Sequence, residues 1–234
     1  MSRSWLYVIR TDGQIDEEFL CCALPEQERT RVLRYRNRQD RLNSLAALLA
    51  AKVMLAPYCW PLPPMQQTVF GRPYVESPGW RGDFNLAHSG GMAVCALLPA
   101  GRVGVDMEKI GQVQDETASY CLAEAEWRHW NAQPDSRSRQ ELFHRYWTLK
   151  EAYIKLQGTG MGLIAPDSLQ FELHDDASAT LLTPARLAFH SCRIDERYSL
   201  SVCVTGSLPK QPHVILSMEE LIAEYLDLYP IRRK

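Results

Sequence analysis

Residues 103 to 108, Val-Gly-Val-Asp-Met-Glu, alternate apolar and non-apolar side chains. A strand there sends Val103, Val105 and Met107 to one face and sets Asp106 and Glu108 side by side on the other. Two carboxylates then share one small patch. Further along, residues 143 to 162 (FHRYWTLKEAYIKLQGTGMG) read as a helix that carries Lys150, Glu151 and Lys155 and stops at glycines from Gly158. Glu151 and Lys155 lie one turn apart and face the same way.

Taken singly, each piece has an ordinary structural reading. An Asp-x-Glu pair on a strand is usually the solvated face of an antiparallel sheet. Glu151 with Lys155 is an i,i+4 surface pair worth about 0.3 to 0.5 kcal/mol. The combination points further, because paired carboxylates on a rigid strand, with a third carboxylate and a lysine on a helix, suit Mg2+ held against a phosphate ester. Mg2+ prefers hard oxygen ligands, keeps several waters and takes few carboxylates besides the substrate's phosphates.

With 234 residues, 46% of them hydrophobic, and a net charge of -2, the chain has the composition of a soluble globular protein of one large domain or two small lobes. No global basicity points to nucleic acid, although Arg29, Arg31, Arg34, Arg36, Arg38 and Arg41 crowd into one stretch. The seven cysteines are an odd number without zinc-site spacing, which favours free thiols in a reducing cytoplasm. MSRSWLYVIR is too short in apolar length for a secretory segment and reads as a first strand, Trp5 to Ile9. No run approaches the ~18 apolar residues of a membrane helix. The expectation is a cytoplasmic protein with neither a nucleic-acid nor a membrane partner.

Pro25, Glu26 and Glu28 open a helix, and Leu42, Leu45, Leu48, Leu49 and Val53 form the apolar stripe of a second one, from 39 to 55. After a proline-rich connector (57 to 64), FGRPYV, FNLAHS, MAVCALL and RVGVDME read as successive strands, the last three as an antiparallel meander. Residues 131 to 140 read as a loop. Ser217 and Glu220 form a capping-box pattern before a C-terminal helix. Leu-x-Glu-x-Glu occurs at Leu24, Glu26 and Glu28 and again at Leu122, Glu124 and Glu126, each time opening a helix, which suggests an internal duplication.

FGRP (70 to 73), FNLAHSGG (84 to 91), GVDMEK (104 to 109) and YWTLKEAYIKLQGTG (146 to 160), in that order, resemble the 4′-phosphopantetheinyl transferases, specifically their longer, monomeric, two-lobed type. The resemblance extends from about residue 24 to about residue 200. It implies an α+β fold of two similar lobes, each a small antiparallel sheet packed with helices, related by a pseudo-twofold axis with a ligand cleft between them. The lobes would be 1–102 and 103–234, the second including the C-terminal helix. The implied activity is transfer of the 4′-phosphopantetheine arm of coenzyme A to a serine of an acyl or peptidyl carrier protein. Asp106, Glu108 and Glu151 would hold Mg2+ or Mn2+, Glu151 would be ligand, general base or both, and Lys155 would meet the transferred phosphate. Coenzyme A would contact Gly71, Arg72, Pro73, Ala87, His88, Arg41 and Ser44.

The chain departs from the family pattern at three places. Arg72 stands where lysine is more common, Ala87 replaces a serine before His88, and Asn43 replaces a basic residue before Ser44, with Arg41 or Arg31 left to answer the 3′-phosphate. Two other readings compete: a non-catalytic module binding coenzyme A or carrier proteins, and another metal-dependent nucleotide phosphotransferase.

Overall fold

The computed structural model describes residues 4–13, 15–22, 24–160, 162–182, 186–211 and 213–230. The chain is mixed α and β and divides into two compact units, 1–100 with 209–234, and 101–208. In chain order the first unit holds β1 (Leu6–Arg10), α1 (Glu17–Cys22), α2 (Glu26–Leu33), α3 (Arg38–Leu55), β2 (Gln66–Gln67), β3 (Pro73–Tyr74), β4 (Asp83–Ser89) and β5 (Met92–Leu98). The second holds β6 (Val103–Lys109), α4 (Asp115–Cys121), α5 (Glu124–Asn131), α6 (Ser136–Gln157), β7 (Phe171–Leu173), β8 (Ser178–Leu181), β9 (Leu187–Ile194) and β10 (Tyr198–Thr205). β11 (Val214–Ser217) and α7 (Met218–Leu228) return to the first unit.

This return corrects the expected second lobe of 103–234. β11 pairs in parallel with β1, Tyr7 opposite Val214, and Leu221 and Tyr225 of α7 enter the apolar core built around α3. The Ser217 capping box forms as its residue types dictate, Glu220 N–H donating to Ser217 Oγ and Ser217 N–H to Glu220 Oε2. The sheet of this unit runs β11-β1-β5-β4. The sheet of the second unit runs β6-β10-β9-β8-β7, all antiparallel.

The meander expected from β4 to β6 is not formed. β4 and β5 pair, but β5 turns its other edge to β1, and β6 pairs with β10 instead. Short turn signals establish where strands end; they do not reveal that the Pro99–Gly101 turn leaves one sheet for another. Two further expectations shift. FGRP occupies the turn of the β2–β3 hairpin, with only Pro73 and Tyr74 in strand, and Gly71 has φ of +81°, a conformation that glycine adopts without strain. Of the expected loop 131–140 only the first part is irregular. Asp135 accepts a hydrogen bond from Ser138 N–H and caps α6 at Ser136.

Each unit contains the same buried ion pair. Glu28 on α2 meets Lys52 on α3 at 2.9 Å and accepts Met65 N–H at 3.0 Å. Glu126 on α5 meets Lys150 on α6 at 2.5 Å and accepts Phe171 N–H at 2.7 Å. The two pairs have the same sequence separation, and α2 and α5 are both eight residues long. The second glutamate of each Leu-x-Glu-x-Glu run is therefore an internal anchor, not a solvated first-turn acid.

Candidate active site

α6 lies across the β6 face that carries Gly104, Asp106 and Glu108. A Cβ on Gly104 would stand 1.9 Å from the carbonyl oxygen of Ala152 and 2.6 Å from Leu156 N. Only a glycine lets the helix come this close to the strand. Ala152 follows Glu151 directly, so this approach brings the Glu151 carboxylate under the influence of Asp106. The opposite face of β6, with Val103, Val105 and Met107, is fully buried, as the alternation predicts.

Lys155 Nζ donates to Asp106 Oδ1 at 2.6 Å. Asp106 Oδ2 and Glu151 Oε1 are buried and make no hydrogen bond. Burial raises the Glu151 carboxyl to about 7; the Asp106 charge adds to the rise, Lys155 opposes it, and Glu108 adds a smaller push upward. The cluster therefore holds more negative charge than Lys155 offsets. Two neighbouring buried carboxylates with unused oxygens are costly unless a cation or proton joins them. This donor set, hard anionic oxygens with room left in their coordination, fits a divalent cation that also takes water and phosphate. The three carboxylates do not form a closed cage: among the described residues no three His, Cys, Asp or Glu side chains stand close enough together to enclose a metal.

Lys150, next to Glu151, turns the other way. Its ammonium is fully buried, donates to the carbonyls of Pro166 and Leu169, and pairs with Glu126. Burial pulls the Lys150 pKa down and the Glu126 pKa up, against their mutual attraction. Phe143, Tyr146 and Trp147 pack around the second core as expected of helix aromatics, with Trp147 stacked on Phe143 at 6.3 Å and only partly buried.

One polar cluster of this unit escaped the sequence reading. Thr148 Oγ1 lies 2.8 Å from Ser201 Oγ and 3.1 Å from Ser199 Oγ. On β10, Ser201 pairs with Asp106 and Ser199 with Glu108. Nothing short-range marks these hydroxyls, since strand serines 51 and 53 positions from the threonine look like ordinary solvated residues.

The residues expected to hold coenzyme A lie in the first unit. Arg72 pairs with Asp83 at 2.5 Å and points Nη2 toward the Phe84 carbonyl. Gly71 has nothing within 4 Å of the place a Cβ would take. Pro73 pairs with Gln67, and Ala87 is buried on β4. The His88 ring lies edge-on to Tyr35 with centroids 6.1 Å apart. Arg41 donates to Glu17 and to the carbonyls of Tyr35 and Arg36, so all three guanidinium nitrogens are engaged, and Arg31 donates to the Met65 carbonyl. Ser44 is half-buried on α3. Asn43 is a structural residue: its Oδ1 accepts from Thr11 and Gln39, and its Nδ2 donates to the Gly90 carbonyl at 2.8 Å. A lysine could not make the accepting half of that network.

The model of the 4′-phosphopantetheinyl transferase superfamily matches residues 102–203, the stretch that contains Asp106, Glu108, Glu151 and Lys155. The 4′-phosphopantetheinyl transferase psf-1 of Bacillus pumilus is 31% identical over 169 residues, covering 68% of this chain and 70% of that protein. The 4′-phosphopantetheinyl transferase Sfp of Bacillus subtilis (strain 168) is 24% identical over 224 residues, covering 93% of this chain and 98% of that protein. Among solved structures, a holo-(acyl-carrier-protein) synthase from Bacillus anthracis in complex with coenzyme A shares 21% identity over 46% of this chain and 96% of its own, with a TM-score of 0.39. With a relative matched at this identity along most of its length, and a family model lying over the carboxylate cluster, the chain belongs to the 4′-phosphopantetheinyl transferase superfamily.

Proposed function

We propose that the protein transfers the 4′-phosphopantetheine arm of coenzyme A to a serine hydroxyl of an acyl or peptidyl carrier protein and releases 3′,5′-adenosine bisphosphate. The observation that carries this reading is the pair of buried carboxylates with unused oxygens, of which Asp106 is bonded to Lys155, inside the stretch matched by the family model. Asp106 and Glu151, with Glu108 as the third carboxylate, would hold Mg2+ or Mn2+, both of which suit carboxylate oxygens. Such a cation supplies Lewis-acid stabilisation of the pyrophosphate.

The side chains account for the rest. Lys155 offsets the Asp106 charge, and its ammonium, partly exposed, would meet the charge that develops on the transferred phosphate. Glu151, with a carboxyl lifted to about 7, is matched to accept the serine proton near neutral pH, as base, ligand or both. Gly71, Arg72, Pro73, Ala87, His88, Arg41 and Ser44 are assigned to coenzyme A. Its phosphates would compete with Asp83 for Arg72 and with Glu17 for Arg41. The recurring Glu–Lys pair supports an origin of the two units by duplication. The residue after the buried lysine is Glu151 in the second unit and Val53 in the first, so the carboxylate chemistry belongs to the second. The proposal includes a cytoplasmic monomer; seven free thiols, five of them buried, suit a reducing compartment. Among the described residues no helix is long and apolar enough to cross a membrane.

Intact mass spectrometry of an apo carrier protein incubated with this protein, coenzyme A and Mg2+ tests the reading. The expected result is a mass gain of one phosphopantetheine arm, absent with EDTA and absent with Asp106→Ala at an unchanged thermal midpoint. No gain on a panel of fatty-acid, polyketide and peptide carriers would refute it.

A further inference from the structure

Thr148 sits three residues before Glu151 on α6, fully buried, facing β10. A hydroxyl has one proton to give and two lone pairs to receive with. Thr148 Oγ1 gives its proton to the His144 carbonyl at 2.9 Å, with the Arg145 carbonyl more distant at 3.3 Å. It therefore receives from both serines, Ser201 at 2.8 Å and Ser199 at 3.1 Å. All three hydroxyls are almost completely shielded from water. In this arrangement each hydroxyl of the cluster has a partner and Thr148 has no unused capacity.

The placement of the cluster matters more than its strength. The serines stand opposite Asp106 and Glu108 in the β10–β6 register, so the bonds tie α6 to the strand positions beside the carboxylates. One residue past Glu151, the Ala152 carbonyl rests over Gly104. The turn of helix that carries Glu151 is thus held at both ends, by hydroxyl bonds before it and by backbone contact after it. Repulsion between the Glu151 and Asp106 carboxylates works against this approach, and the hydroxyl bonds oppose it together with the Lys155–Asp106 pair.

We propose that Thr148, with Ser199 and Ser201, forms a positioning set that holds Glu151 over β6 beside Asp106 and so sets the protein's affinity for a divalent cation. This rests on the metal-dependent reading of the site. Thr148 touches no reacting group in this scheme. Its effect passes through the placement of Glu151, as outer partners of a metal site govern the affinity of the ligands they orient.

The test is Mn2+ binding to the full chain, followed by the electron paramagnetic resonance signal of free Mn2+, for the wild type, Thr148→Ser, Thr148→Val and Ser201→Ala, with urea midpoints alongside. Thr148→Val keeps the shape but takes away the acceptor for both serines, and should weaken Mn2+ binding about tenfold. Thr148→Ser keeps the hydroxyl and should bind as the wild type does. Wild-type affinity in Thr148→Val would overturn the proposal, as would an equal loss in Thr148→Ser. If Thr148→Val does not fold, Ser201→Ala carries the test, weaker Mn2+ binding supporting the positioning set and wild-type binding overturning it. A wild type that binds Mn2+ yet transfers nothing to any carrier would sink the transferase reading and leave this inference standing. A wild type that binds no Mn2+ would sink this inference.

Discussion

At Glu151 burial and the Asp106 charge act in the same direction, lifting the carboxyl from 4.5 to about 7. Below pH 4.5 the group is protonated whether the chain is folded or not. Between 4.5 and 7 the folded chain retains a proton that the unfolded chain has released, so the group's contribution to stability is lost as pH rises through this window. The whole interval amounts to about 3 kcal/mol. Glu151→Gln in EDTA should therefore be more stable than the wild type by up to about that amount at pH 8, with little difference at pH 4. Urea midpoints at the two pH values check this, and parallel curves for the two proteins would contradict it. With Glu151 as the proposed base or cation ligand, transfer activity should vanish in the same variant. Asp106, Glu151 and Lys155 were legible because alternation and one-turn spacing fix which side chains share a face. Lys150 was not, although it stands in the same motif. Its direction depends on Glu126, and no local pattern announces a partner on another helix.

At the scale of elements, the site depends on how closely α6 approaches β6. Gly104→Ala puts a methyl where the Ala152 carbonyl and Leu156 nitrogen already stand, and these are backbone atoms that no rotamer change can clear. The helix must move away from the strand, at a cost of about 1–3 kcal/mol or more. Glu151 moves with it, so kcat for carrier modification should fall about a hundredfold or more. Denaturant unfolding and steady-state rates measured on the same preparation would show both losses; a stable variant with wild-type kcat would mean that the approach is dispensable. The strand, the helix, its glycine stop at Gly158 with φ of +73° and the capping box were readable because each is encoded within a few residues. The six residues of α1 were too few for a periodic signal, and the pairing of β6 with β10 joins segments about ninety residues apart.

At the scale of the whole molecule, the same buried ion pair occurs in both units. Each unit has its own apolar core, and in each a buried glutamate ties a short helix to a long one through lysine and to a later segment through a backbone N–H. Removing one member of such a pair strands a charge in the interior, which costs about 3–5 kcal/mol, whereas replacing both by apolar residues is often neutral. Lys52→Met should lower amide protection against hydrogen exchange across 1–100 and 209–230, and Lys150→Met across 101–208. Separate cores allow separate local opening, so each loss should stay in its own unit. Glu28→Leu combined with Lys52→Met, and Glu126→Leu combined with Lys150→Met, should restore most of the protection. Loss of protection in both units from a single variant would show that the pairs stabilise one cooperative body and not two. The repeated Leu-x-Glu-x-Glu hinted at this arrangement, yet the lysines that complete it could be assigned only once the helices were seen packed, since helix pairing is decided by tertiary contacts. The division between the units was blurred for a similar reason: β11 and α7 follow the second unit in the chain but complete the sheet and core of the first.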